Sequence, residues 1–196
     1  MNKTYTGIGS RDCTPEGFFM AEVLAFKLAL AGFRLKTGAA EGIDEAFTKG
    51  ARRGQGAIDT YIPWKGYNGS PSPLFGVNEE ALKMASTTHP SWSSMSLAHQ
   101  KHLGCAAHQV LGPDLATPSA FTLCWTPDGC DSESTRTGRT RGTASGIIIS
   151  ERNGIRCFNL NSRKGRLALT ELFTELGLSF QHTEPPHQAT QASLFG

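Results

Sequence analysis

Five segments that alternate in type occupy the first third of the chain, and they restrict its fold more than any other feature. Short apolar-rich runs at 3–8, 33–37 and 57–62 predict strands, and the segments between them predict helices. Thr14 followed by Pro15 is typical of a helix start, with a capping hydroxyl and a proline in the first turn. Because a helix between two strands usually returns the chain to the same end of a sheet, this order predicts a parallel sheet.

The later part of the chain continues the alternation with longer loops. Two more strands are predicted at 120–125 and 156–160. Within 142–153, Ile147–Ile149 favour a strand, but the alternation requires a crossover helix there, and we predict a helix. Further helices are predicted at 77–85, 96–111 and 163–176.

We therefore expect an α/β fold, a Rossmann-like open parallel sheet with helices on both faces. One nucleotide-binding domain is expected over 1–180, followed by a disordered tail at 181–196 that is rich in Pro, His, Gln and Thr. A net charge of +2 gives no domain-wide basic excess, so nucleic-acid binding would need a local patch. Five cysteines without a CxxC pair, and no apolar segment typical of a signal peptide or a membrane span, favour a cytoplasmic protein away from membranes.

Small and polar residues follow three of the strands. The turns at 7–13, 37–44 and 126–143 would meet at the carboxyl edge of a parallel sheet, where ligands usually bind. Backbone N–H groups in the second turn, the side chains of Ser10 and Arg11, and a helix start at Gly142-Thr143 are suited to a phosphate. The alternative is that these are tight turns without a ligand.

Two stretches resemble a known family. YTGIGSR at 5–11 and LKTGAAEGIDEAF at 35–47 resemble the Rossmann-like core of the DNA-processing protein A family, part of the SLOG superfamily, with Thr37 replacing the family's serine. CWTPDG at 124–129 and Gly142-Thr143 are similar to later motifs of small phage and prophage proteins related to that family. The resemblance implies a nucleotide- or DNA-phosphate pocket formed by Gly9, Ser10, Arg11, Thr37, Gly38, Ala39, Gly42, Gly142 and Thr143.

The resemblance leaves the activity open. DNA-processing proteins bind single strands and help to load a recombinase, whereas a hydrolase branch of the superfamily cuts a nucleotide N-glycosidic bond with the motif PGGxGTxxE. In this chain Gly146 stands where that glutamate is expected, which counts against the family's hydrolase chemistry. A binding protein of bacterial or phage DNA metabolism, an enzyme that makes or breaks N-glycosidic bonds, and a nucleotide-signal sensor remain alternatives.

Three carboxylates are candidates for catalysis. Glu41 and Asp44 lie three residues apart at a predicted helix start, where either could orient a ribose hydroxyl or attack an anomeric carbon. Asp128 follows the fourth predicted strand. The alternative roles are helix capping for Asp44 and turn formation for Asp128.

Histidines and arginines offer weaker signals. The series His99, His102, Cys105, His108 drifts around a helix, so we expect no metal site and no cofactor, although His102 or His108 could reach a ligand in the crevice. A basic run, together with loop aromatics, could form a groove for single-stranded nucleic acid or simply be solvated. These residues are Arg136, Arg139, Arg141, Trp64, Tyr67 and Trp92.

The tail carries a short motif at 191–195, QASLF. It resembles the pentapeptide with which bacterial polymerases and repair proteins bind the sliding clamp. Leu194 and Phe195 would enter an apolar pocket, while Gln191 and Ser193 complete the motif. The expected partners are therefore a nucleotide or single-stranded DNA and the bacterial sliding clamp; a homo-oligomer is left open.

Overall fold

The computed structural model describes residues 3–178, and within them five parallel strands form one open sheet. The strands are β1 (Thr4–Gly9), β2 (Arg34–Thr37), β3 (Ile58–Thr60), β4 (Phe121–Trp125) and β5 (Cys157–Asn159). Their order is β3-β2-β1-β4-β5, and each neighbouring pair is parallel. The chain therefore builds outward from β1 to β3 and then crosses to β4 on the other side of β1, which is the Rossmann order with its switch point between β1 and β4.

Within the described part of the chain, six α-helices cover the two faces of the sheet. They are α1 (Pro15–Leu30), α2 (Ile43–Arg53), α3 (Glu79–Ser86), α4 (Leu97–Leu111), α5 (Thr143–Arg152) and α6 (Arg163–Glu175). One core joins α1, α2 and α6 to the sheet around Tyr5, Leu35 and Phe121. The other face is covered by α3, α4 and α5, which pack together around Ala107 and Ile149. The predicted α/β class is confirmed.

The ambiguous segment is a helix, as the alternation predicts. Ile147, Ile148 and Ile149 are each at most 3% exposed, and every residue of α5 from 144 to 150 is buried, so this helix shows no amphipathic periodicity in the sequence. Gly104 does not interrupt α4, which continues through it to Leu111. A Cβ at Gly104 would lie 2.6 Å from Val77 Cγ1. The glycine therefore lets the segment before α3 pack closely against α4.

Several boundaries differ from the sequence predictions. The helix α3 begins two residues later than expected, because Asn78 caps it by accepting a hydrogen bond of 2.8 Å from the backbone N–H of Ala81. The strands β3 and β5 have three residues each.

Among residues 3–178, no helix has the length and apolar character needed to cross a bilayer. The predicted tail and its QASLF motif lie outside the described residues.

Candidate functional site

A crevice opens at the carboxyl ends of β1 and β2, next to the switch point of the sheet. Its walls come from the ends of these strands, the loop after β3, one face of α4 and the first turn of α5. Its volume is about 70 Å³, which is room for a few water molecules. A larger ligand would therefore extend out of the crevice.

The structure brings together residues from all three turns singled out in the sequence. Gly9 comes from the first turn, Gly38, Ala39 and Asp44 from the second, and Gly142 and Thr143 from the start of α5. This convergence follows from the parallel sheet, because the carboxyl ends of all its strands point to one edge.

Asp44 occupies the centre of this arrangement. It lies in the first turn of α2, is only 7% exposed, and accepts a hydrogen bond of 3.2 Å from the backbone N–H of Gly9. Burial raises the pKa of Asp44 to about 7, although hydrogen bonds from the backbone of Gly9, Ala40 and Gly38 and the charge of Arg11 lower it in part. The crevice therefore contains a carboxyl group that changes its charge near neutral pH.

The carboxylate of Asp44 occupies the place where a phosphate was expected. It accepts a hydrogen bond of 3.2 Å from the N–H of Gly9, and the backbone N–H groups of Gly38 and Ala40 also stabilise its charged form. A Cβ on Gly38 would lie 2.6 Å from Asp44 Oδ2, so the glycine makes room for this carboxylate. An anion bound at the second turn would have to compete with Asp44 for these donors.

Other predicted pocket residues hold the turns together without lining the crevice. The hydroxyl of Thr37 donates to the carbonyl of Gly7 at 2.6 Å. The Ser10 carbonyl accepts from the N–H of Ile43 at 3.3 Å, which joins the first turn to the start of α2. Gly42 has φ +80°, and a Cβ there would lie 2.5 Å from the Arg11 carbonyl. This close contact between the two turns requires a glycine.

The start of α5 supplies free anion-binding capacity. Gly142 is the N-cap residue and Thr143 the first helical residue, and no side chain caps the helix. In the first turn, the N–H of Ala144 donates to the Arg141 carbonyl at 3.2 Å and that of Ser145 to the Gly142 carbonyl at 3.3 Å. The donors left for an anion are therefore those of Gly142 and Thr143, which both line the crevice, together with the positive end of the helix dipole. Beside it runs an open groove, which we call the arginine groove, lined by Asp12, Pro127, Gly138, Arg139 and Arg141.

Two catalytic candidates lie away from the crevice. Glu41 is exposed and does not line it. Asp128 accepts hydrogen bonds of 2.5 Å from the hydroxyls of Thr137 and Thr140. Burial alone raises the pKa of Asp128, but hydrogen bonds from Thr137, Thr140 and Thr126 outweigh it and lower that pKa to about 2. Asp128 therefore organises the loop between β4 and α5, which is the turn-forming role weighed in the sequence.

Several residues that line the crevice were not among the predicted pocket and catalytic residues. Tyr67 follows β3, whereas His102, Cys105 and Gln109 come from α4. Their spacing of three and four residues places these α4 side chains on one helical face, which is the signal that would have identified them together. Of the two histidines considered, His102 lines the crevice, whereas His108 is buried with its Nδ1 3.1 Å from the Gly112 carbonyl.

Tyr67 and His102 contact each other. Tyr67 Oη lies 3.3 Å from His102 Nδ1, and burial, followed by the charges of His99 and Arg11, lowers the pKa of His102. Trp64, which is 42% exposed, packs edge-on against Tyr67 with ring centroids 5.1 Å apart. No group of three or more potential metal ligands occurs among residues 3–178.

Comparisons with known proteins identify no family. No family model matches the chain, and no curated protein matches it. Among solved structures, the chain is similar to the Moco carrier protein of Chlamydomonas rheinhardtii, with 17% identity, a TM-score of 0.46, and coverage of 89% of this chain and 86% of that chain. This likeness is too distant to indicate what this chain binds.

Proposed function

We propose that the crevice binds a nucleotide, with its phosphate at the start of α5. The observation that carries this proposal is the uncapped N-terminus of α5, which faces a crevice at the switch point of a parallel sheet. Because Asp44 already takes the N–H groups of the second turn, Gly142 and Thr143 are the better phosphate donors. Arg11 adds a positive charge that acts on Asp44 and His102.

Aromatic side chains support binding of the base. Tyr67 lines the crevice and the exposed Trp64 packs edge-on against it, so this wall of the crevice offers aromatic surface to a base. In the arginine groove next to Gly142, Arg141 is paired with Asp12, and Arg139 is the cation suited to a neighbouring phosphate. The ligand could therefore be a free nucleotide or a nucleotide within single-stranded DNA.

The resemblance to DNA-processing proteins and the QASLF motif support a place in bacterial or phage DNA metabolism, in the cytoplasm. In this proposal the tail binds the sliding clamp through Gln191, Ser193, Leu194 and Phe195 and holds the domain at sites of replication. A homo-oligomer is compatible with the proposal.

A second candidate function is that of an enzyme acting on the N-glycosidic bond of a nucleotide. The buried carboxyl of Asp44 favours it, since a pKa of about 7 suits a group that accepts a proton at neutral pH. Asp44 replaces Glu41 and Asp128 as the candidate acid, because it alone of the three lines the crevice.

Binding at α5 is tested by introducing a charge with a matched control. Gly142 has φ −64°, and a Cβ there would have only Leu103 Cδ2 nearby, at 3.4 Å, so Gly142→Asp and the isosteric Gly142→Asn should both fold. A carboxylate about 5 Å from the phosphate costs about 2–3 kcal/mol. Isothermal titration with deoxyribonucleoside monophosphates should therefore show affinity reduced about tenfold to hundredfold for Gly142→Asp relative to Gly142→Asn. Equal affinities in the two variants would exclude the start of α5 as the phosphate site.

A further inference from the structure

Tyr67 and His102 are fixed as a pair on one wall of the crevice. Their rings are 5.8 Å apart, with the phenol oxygen 3.3 Å from Nδ1 of the imidazole. The loop that carries Tyr67 is attached to the second turn, because Asn68 Nδ2 donates to the Ala39 carbonyl at 2.9 Å. Trp64 packs edge-on against the Tyr67 ring. The pair is therefore held in place relative to the turn that contains Asp44.

A neutral Tyr–His pair always leaves one hydrogen-bond donor free. If the phenol donates to His102 Nδ1, the ring proton is on Nε2 and is free to donate. If instead Nδ1–H donates to the Tyr67 oxygen, the phenol hydrogen is free. Both residues line the crevice, so in either state a donor is available to a ligand there.

The same crevice contains Asp44, which has the opposite hydrogen-bonding character when ionised. A single guanidinium, that of Arg11, acts on both Asp44 and His102. A ligand in this space is thus placed among a carboxylate acceptor, the Tyr67–His102 donor and the anion-binding start of α5. The carboxylate suits the hydroxyls of a sugar, the Tyr67–His102 donor suits a base, and the start of α5 suits a phosphate, so together they match the three parts of a nucleotide.

We propose that Tyr67 and His102 are catalytic residues that stabilise the departing base when a nucleoside monophosphate is hydrolysed at its N-glycosidic bond, an inference that rests on the second function above. Water forms a bond to C1′ and gives a proton to Asp44, while the bond from C1′ to the base nitrogen breaks. The electron pair of that bond goes to the base, whose negative charge is met by the free donor of the pair. The base then takes a proton from solvent, and Asp44 releases its own to solvent, giving a free base and a sugar phosphate.

The pH dependence of base release follows from the groups around the crevice. Asp44 has to be ionised to accept the proton, so the rate should rise with pH and level off above about pH 7. Burial, followed by the charges of His99 and Arg11, lowers the pKa of His102 and so favours its neutral form. Burial raises the pKa values of Cys105 and Tyr61 to about 12, so neither thiol nor phenol titrates in the range of interest.

The test uses the full chain with a panel of ribo- and deoxyribonucleoside 5′-monophosphates. Released base is measured by liquid chromatography from about pH 5.5 to about pH 8.5, and binding of the same nucleotides is measured separately by calorimetry. Tyr67→Phe keeps the ring that packs on Trp64 but removes the hydroxyl. His102→Ala removes the imidazole, and His99→Gln on the exposed side of α4 is the control, assayed at about pH 8.

The inference predicts base release with a lower kcat, by about tenfold to hundredfold, in Tyr67→Phe and His102→Ala. It predicts KM within about twofold of the parent for Tyr67→Phe and parent-like kinetics for His99→Gln. Nucleotide binding without base release would overturn the inference and leave the binding function intact. Release that is unaffected in Tyr67→Phe and His102→Ala would overturn the pair's role, and a panel that neither binds nor reacts would overturn both proposals.

Discussion

Replacing Asp44 by asparagine should change how the stability of the protein depends on pH. Burial raises the pKa of Asp44 from 3.8 to about 7 in the folded chain. The folded state therefore binds this proton more tightly than the unfolded state. The stabilisation that arises from this tighter proton binding by Asp44 is fully present below about pH 3.8 and is lost as the pH rises through about 7.

The size of the effect follows from the two pKa values. Stability falls by about 1.4 kcal/mol for each pH unit between them, so the loss between pH 5 and pH 8 is about 2.5 kcal/mol. His102 acts in the opposite direction, because its lowered pKa makes stability fall as the pH decreases. A comparison of the parent with Asp44→Asn cancels this contribution and isolates that of Asp44.

The assay is urea denaturation of both proteins at several pH values between about 5 and 8. On going from the lower to the higher pH, the parent should lose about 2.5 kcal/mol more free energy of unfolding than Asp44→Asn. Glu45→Gln, which removes an exposed carboxylate from the same helical turn, should keep the profile of the parent. Parallel profiles for the parent and Asp44→Asn would refute the buried, proton-binding carboxyl.

Three further predictions concern the core, helix packing and the tail. Tyr5 is fully buried and its hydroxyl has no hydrogen-bond partner among the described residues, so Tyr5→Phe should raise the free energy of unfolding by about 1 kcal/mol, and a loss in urea denaturation would contradict this. A Cβ on Gly50 would lie 2.0 Å from the Glu22 carbonyl. Gly50→Ala should therefore lower stability by about 2 kcal/mol or more, although alanine favours a helix by about 1 kcal/mol; an unchanged Tm would show that α1 and α2 are not so close. Deleting 191–196 should abolish binding to a bacterial sliding clamp in surface plasmon resonance and leave nucleotide affinity unchanged, whereas retained clamp binding would exclude QASLF as the contact.

The fold was predictable because its signals are local and consistent. Thr14 caps α1 as expected, with its hydroxyl accepting from the N–H of Gly17 at 3.1 Å. The alternation of strands and helices also identified α5 as a helix, where Ile147–Ile149 alone would have favoured a strand. What alternation could not give was the extent of short strands such as β3, since these are set by pairing with a neighbour.

For the site, the sequence allowed the positions of the backbone turns to be predicted but not the side-chain contacts. Glycines at βα turns identified where the turns converge, because sheet topology alone brings them together. The sequence could not show that the side chain of Asp44 would turn inward, toward the backbone N–H groups of Gly9 and Gly38. Nor could it show that Tyr67 would contact His102, which lies thirty-five residues further along the chain. Such contacts depend on how α4 and the loop after β3 pack over the sheet edge, and no local pattern specifies that packing.

The central claim is that a nucleotide binds in the crevice with its phosphate at α5. The most direct measurement is a crystal structure of the protein with a deoxyribonucleoside monophosphate that binds in calorimetry. We expect phosphate oxygens within hydrogen-bonding distance of the backbone N–H groups of Gly142 and Thr143, with Asp44 still bonded to Gly9 and the base near Tyr67. A phosphate that displaces Asp44 from the second turn, or a nucleotide bound outside the crevice, would contradict it.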